Sequence, residues 1–213
     1  MSRAVRLGAA CWLLVASYFA AQPVVAAAWS PPYSYAVNTI SDLGNATCGA
    51  ACSPRHALMN AAFVLTGLAS IAGALLSRRY WPPGRLATAG LICVGLAGAG
   101  GILVGLAPAD VNVPVHVAGA ALQFPGAVGP LLLGLATVAT RPGERAFSIA
   151  LGLLGTVCCL LFLTGAEFGI GRGGVERLAF DPLSVWKLTM AVVILARAGA
   201  PGPGSTASGH RRG

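Results

Sequence analysis

The chain has 213 residues, 56% hydrophobic and only 9% charged, with a net charge of +8 and a mean hydropathy of +0.75. A soluble domain carries about a quarter charged residues, so this composition argues against a soluble globular protein and makes the bilayer the solvent. The basic balance does not indicate a nucleic-acid partner, because the arginines are scattered over the connections between apolar runs instead of gathered on one soluble face among aromatics.

In chain order, apolar runs cover residues 7–28, 57–76, 86–107, 115–139, 147–166 and 178–196. Each is about 20 residues long, enough to cross roughly 30 Å of hydrocarbon as a helix. Arg3 and Arg6 precede the first run, and Arg197, Arg211 and Arg212 follow the last. The connections 77–85 and 140–145 are short and basic, with Arg78, Arg79, Arg85, Arg141 and Arg145. The connections 29–56, 108–114 and 167–177 carry only Arg55, Arg172 and Arg177, together with most of the acids. Positive charge marks the cytoplasmic side, so the expectation is an all-α, polytopic membrane bundle of six transmembrane helices with both termini cytoplasmic. The domain would cover residues 1–200, and the Gly, Ser, Pro and Arg tail 201–213 is too poor in apolar residues to fold. Arginine supplies all but one of the 14 basic residues, and Ala and Gly abound, a bias that suggests a bacterial plasma (inner) membrane.

The first run has a rival interpretation. Arg3 and Arg6, an apolar stretch, and Ala26-Ala27-Ala28 imitate a secretory signal with its cleavage site. The stretch is longer than the 7–15 residues of a usual signal core, so retention is expected; cleavage would leave five spans. The third run carries Gly90, Gly95, Gly98, Gly100, Gly101 and Gly105, of which Gly101 and Gly105 form a G-x-x-x-G pair. Small residues let helices approach closely in lipid, either inside the bundle, the expected use, or across a homo- or hetero-oligomer interface.

Chemistry-bearing residues concentrate in the acidic connections. Asn38, Ser41, Asp42, Asp110, His116, Glu167, Glu176 and Arg177 are the candidates for a polar cluster at the extracytoplasmic mouth. Asp42 serves a site or, equally, caps a tight turn ended by Gly44. Cys48 and Cys52 are close enough for a local disulfide in an oxidising exterior. No second Cys or His pair has ligand spacing, so no metal and no cofactor is expected. Lys187 lies near mid-bilayer in the last run, where an ionisable side chain should face the bundle and find a partner, with Glu167 and Asp42 as the candidate anions; the alternative is a lysine that snorkels toward an interface.

The segment Asn38-Thr39-Ile40-Ser41-Asp42-Leu43-Gly44 resembles the hallmark of the bacterial "domain of unknown function 998" membrane proteins. Asp110 followed by His116, and Gly174-Val175-Glu176-Arg177-Leu178 leading to Trp186, are similar to further segments of that family. The resemblance covers about residues 5–197; Lys187 matches no position in it, so no family role transfers there. A more distant similarity of the Ile-Ser-Asp-x-Gly core to Frag/DRAM/Sfk-type six-span proteins implies a part in membrane lipid organisation.

The functional expectation is a non-enzymatic module that binds membrane lipids or a partner. The catalytic alternative is a lipid hydrolase or transferase using Asp42, His116 and Glu167, which requires those three side chains to converge. G-x-S-x-G and H-E-x-x-H are both missing from the sequence. A small-solute or proton-coupled transporter is the third reading, suggested by a lysine at mid-depth.

Overall fold

Backbone surrounded by lipid has to satisfy its hydrogen bonds within itself, and in the computed structural model, which describes residues 1–199, the apolar runs do so as helices. The first span, Arg3–Ala26, comprises α1 (Arg3–Leu13) and α2 (Ala16–Ala26). Ser2 caps α1, its hydroxyl accepting from the Val5 amide at 3.3 Å. At Leu14 and Val15 the two helices meet through bonds of the i to i−3 type, from Leu14 N–H to Cys11 and from Val15 N–H to Trp12. The helix tightens there without ending. The other spans are α3 (His56–Ser77), α4 (Arg85–Leu106), α5 (Val113–Ala136), α6 (Pro142–Thr164) and α7 (Gly171–Gly199). Six helices are thus long and apolar enough to cross a membrane, and no strand occurs among the described residues. The expected tail 201–213 lies outside the described residues.

Proline and glycine set several of the helix ends. Pro114 and Pro142 sit in the first turns of α5 and α6, where a missing amide hydrogen costs nothing. The Asn112 side chain caps α5 by accepting from Val115 N–H at 3.3 Å. Gly165, at φ 75°, ends α6 in the left-handed conformation. The last helix begins at Gly171, seven residues ahead of the apolar run. Hydropathy marks contact with lipid, whereas this first part of α7 lies beneath the first loop.

The spans alternate in direction, which gives the bundle a loop end and a terminal end. The loop end carries residues 27–55, 107–112 and 165–170; the terminal end carries both described chain ends and the turns at 81–84 and 137–141. Leu68, Leu75, Ile92, Val157, Leu160 and Val192 are exposed along the helices, as an apolar solvent allows. Inside, close approach replaces the missing hydrophobic drive between helices. A Cβ on Gly98 would come 2.7 Å from the Gly67 carbonyl oxygen, so α4 and α3 are in backbone contact there. Gly101 and Gly105 also face α3, which places the G-x-x-x-G pair inside the bundle.

Three clusters of buried side chains result. Trp12, Trp81, Trp186, Met190 and Ile194 fill the terminal end, with Trp81 and Trp186 stacked at 5.7 Å between centroids and Trp12 tilted against Trp186 at 5.3 Å. Tyr18, Val25, Ile40, Leu43, Met59 and Phe63 fill the loop end. A smaller cluster around Cys158, Cys159 and Ala179 joins α6 to α7.

Candidate functional site

The first loop folds back onto the helix mouth instead of projecting from it. Ser30 and Cys52 exchange backbone hydrogen bonds of 3.0 and 2.8 Å, pinching the loop at its base, and Cys48 is disulfide-bonded to Cys52. At its tip, Asp42 and Thr39 form a reciprocal capping pair: the Asp42 carboxylate accepts from Thr39 N–H at 2.7 Å, and the Thr39 hydroxyl accepts from Asp42 N–H at 3.2 Å. The turn so capped, Ser41–Gly44, drives Ile40 and Leu43 into the core, where they are 4% and 0% exposed. The Gly44 carbonyl accepts from Asn60 Nδ2 at 2.9 Å, and the Leu43 carbonyl from the Ser53 hydroxyl at 2.7 Å.

Charged side chains from other elements hold this loop by its backbone. Arg177 is the principal one. Its Nη1 donates to the carbonyls of Tyr35, Asn38 and Gly173 at 2.9, 3.1 and 3.0 Å, and its Nη2 to the Tyr33 hydroxyl at 2.6 Å. Burial pushes the Tyr33 phenol up to about 12, against the opposing pull of the Arg177 guanidinium. A Cβ on Gly173 would overlap the Asn38 carbonyl, so only glycine lets this segment lie on α7. Asn38 also accepts from Ser34 N–H through its side chain at 3.0 Å. From the second loop, Asp110 accepts from the amides of Ala46 and Thr47 at 3.0 and 2.6 Å and from the Thr47 hydroxyl at 2.5 Å. Desolvation alone would raise the Asp110 carboxyl; the three Thr47 and Ala46 donors outweigh it and hold the group below its ordinary value.

Beneath the loop lies a cavity of about 300 Å³ where the three clusters meet. Its rim includes Thr39, Ser41, Arg172 and Glu176, and Lys187 lies far down its wall. Glu176, Ala179, Phe180, Leu183, Ser184 and Lys187 all line it. Their spacing of three, four, seven, eight and eleven residues is one continuous face of α7. At 1.5 Å per residue, Lys187 is roughly 16 Å along the helix from Glu176. Glu176 Oε2 accepts from Ile40 N–H, which ties the top of this face to the loop. Arg172 lies over the Phe162 ring at 3.7 Å and donates to the Phe162 carbonyl at 2.7 Å. His116 is buried at 9%, with Nδ1 2.9 Å from the Ala107 carbonyl. A carbonyl only accepts, so Nδ1 carries the proton and Nε2 is the ring's other polar atom in the cavity wall.

Lys187 corrects the sequence-based expectation. It is 3% exposed, yet its ammonium meets neither Glu167 nor Asp42; it donates to the Ser70 hydroxyl at 2.8 Å. Glu167 stands exposed in the third loop, and Asp42 is occupied by the capped turn. The three side chains required by the catalytic alternative therefore do not converge: of Asp42, His116 and Glu167, only His116 lines the cavity. Asp42, Asn38, Asp110 and Arg177 build the loop, whereas Ser41, His116, Glu176 and Lys187 face the cavity. Among the described residues no group of three or more His, Cys, Asp or Glu is placed to hold a metal ion.

Tyr18, Thr66, Ser70, Gln123 and Ser184 line the cavity without having been singled out from the sequence. The signal was present in part: Thr66 and Ser70 stand four apart in a run whose other polar side chain is Asn60, and Ser184 stands three before Lys187. The Tyr18 hydroxyl donates to Asp181 at 2.6 Å, a pairing across 163 residues that no local pattern encodes.

No curated protein and no solved structure matches the chain. Residues 12–193 match the model of the family described as "Protein of unknown function (DUF998)". With most of its length covered by that match, and with the multi-pass helical bundle seen here, the chain belongs to the DUF998 family.

Proposed function

We propose that this protein is a non-enzymatic binding module of the membrane, which holds a lipid or another amphipathic molecule in the cavity beneath its first loop. The supporting observation is the cavity itself, which combines apolar walls from Phe63, Val104, Phe180 and Leu183 with a few fixed polar groups. Such a composition suits binding and orientation of an amphiphile. The side chains of the catalytic alternative are separated: Asp42 is a turn cap, Glu167 is exposed and only His116 lines the cavity, where Glu176 is bonded to the Ile40 amide.

The same reading gives the molecule an orientation. Arg3, Arg6, Arg78, Arg79, Arg85, Arg141, Arg145 and Arg197 all belong to the terminal end, so that end faces the cytoplasm of a bacterial inner membrane and the cavity mouth faces outward. Reporter fusions at Arg79 and Arg145 are expected to score cytoplasmic, and fusions at Asn45 and Arg172 external; the reverse pattern overturns the orientation.

Binding is tested by native mass spectrometry of the purified full chain. The wild type is expected to retain an adduct of lipid-like mass, and Ala120→Phe, which places a ring in the cavity, to lose most of it. Identical adducts in both proteins would mean that the amphiphile sits on the outer, lipid-facing surface. No adduct in either would remove the proposal.

A further inference from the structure

Lys187 is buried at the far end of the cavity with a single neutral partner among the described residues. Of its three N–H donors one is used, by Ser70, and the Ser70 hydroxyl in turn donates to the Thr66 carbonyl at 2.7 Å. Beside it the Thr66 hydroxyl is buried and has no partner among the described residues. Thr66 and Ser70 share one face of α3, and Ser184 and Lys187 share one face of α7; all four line the same cavity. Two helices thus place an ammonium and hydroxyl groups around one small volume, and among the described residues no carboxylate is paired with that ammonium. A buried charge of this kind is expected to be paired.

Resting on the binding role proposed above, we infer that the cavity floor formed by Lys187, Ser70, Thr66 and Ser184 binds the carboxylate of an amphipathic monocarboxylic acid, whose apolar body lies along Phe63, Phe180 and Leu183. Charge selects a monoanion. The floor offers one cation, so a phosphate monoester bearing close to two negative charges would be under-neutralised there. Arg172 does not supply a second floor cation, since it belongs to the rim and is engaged by the Phe162 ring and carbonyl. Two free ammonium hydrogens and the Thr66 hydroxyl hydrogen are matched by the lone pairs of two carboxylate oxygens. An alcohol of the same length can accept there but brings no charge.

The test uses the full chain in nanodiscs of phosphatidylcholine at about pH 7, where a free carboxyl is ionised and a phosphate monoester carries close to two charges. Decanoate, decanol and decyl phosphate are measured by equilibrium dialysis, with empty discs subtracting partition into lipid. Decanoate is expected to bind at least about tenfold more tightly than decanol. Lys187→Met should abolish that preference while leaving decanol binding in place. Thr66→Val and Ser184→Ala keep the ammonium and should each weaken decanoate about two- to fivefold with decanol unchanged; they carry the test if Lys187→Met does not fold. Equal binding of decanoate and decanol by the wild type overturns the anion site while leaving an amphiphile cavity. Tighter binding of decyl phosphate than of decanoate overturns the choice of a monoanion. Absence of binding by all three overturns this inference, and the adduct experiment then decides separately whether the cavity binds an amphiphile at all.

Discussion

The two ends of the bundle use their charged residues differently. At the loop end, Arg177, Asp110, Asp42 and Glu176 reach chiefly for backbone: carbonyls of Tyr35, Asn38 and Gly173, and amides of Ala46, Thr47, Thr39 and Ile40. At the terminal end one buried acid gathers charged partners. Glu144, buried at 7%, lies 3.5 Å from Arg141, is paired with Arg197 from the last turn of α7, and accepts from the Tyr80 hydroxyl at 2.7 Å. The difference follows from chain length. The turns at 81–84 and 137–141 are too short to contain much unpaired backbone, whereas residues 27–55 contain irregular chain whose buried amides and carbonyls require partners. Charge holds the loop in place at one end and joins helices at the other.

The comparison breaks most visibly at Arg177. Arg177→Met removes the guanidinium donor shared by the Tyr35, Asn38 and Gly173 carbonyls and the Tyr33 hydroxyl, and hydrogen bonds to charged groups are worth about 1.5–3 kcal/mol each. The expected loss is at least about 3 kcal/mol in a denaturation series in detergent, with the first loop released to proteases. Arg177→Lys should recover little, because an ammonium cannot span the fork of acceptors. An unchanged protease pattern in Arg177→Met would show that the loop is held by its buried Ile40 and Leu43 alone.

Glu144→Gln is expected to have a smaller effect, about 1–2 kcal/mol, since Arg197 is half exposed and regains water. High salt should narrow the difference between variant and wild type here, and should do so less for Arg177, whose acceptors carry no net charge. Lys187 belongs to neither pattern, with neither a backbone nor an ionic partner among the described residues. In ligand-free protein Lys187→Met is expected to raise thermal stability, by about 1 kcal/mol or more, because it removes an uncompensated buried charge. The sequence-based pairing with an acid predicts the opposite sign, so the direction of the melting shift alone separates the two.

The smallest effect concerns Asp110. Its carboxyl is held below the ordinary carboxylate value, so its contribution is complete above about pH 4 and is lost as the pH falls through the lower folded value. The Thr47 amide should show that step in hydrogen exchange or NMR, and Asp110→Asn should abolish it. Because Asp110 is exposed, the step should register locally and barely move the midpoint of global unfolding.

The six spans were legible because lipid imposes length and apolarity on each helix separately. The importance of Asn38 to Gly44 was legible as well, since a polar run between apolar ones has to find partners. The partners themselves were not. Glu176 and Lys187 share a helix face only once the helix is known to begin at Gly171, and hydropathy does not report the polar first turns of α7. The Lys187 bond to Ser70 spans 117 residues, and Ser70 looked like one more small residue in a packed span. The acids Glu167 and Asp42 suggested themselves because charge attracts attention in a sequence, whereas the partner found is a neutral hydroxyl.

Three of the four tryptophans, Trp12, Trp81 and Trp186, form one contiguous cluster at the terminal end, and Trp29 stands apart against Tyr33 at the loop end. Indoles in such proximity couple their transitions, so the near-ultraviolet circular dichroism of this protein should be dominated by one end of the molecule. Its emission, by contrast, divides between two optically separate populations. A single Trp29→Phe exchange would silence the loop and leave the cluster intact, turning the chain's own chromophores into a means of watching each end melt.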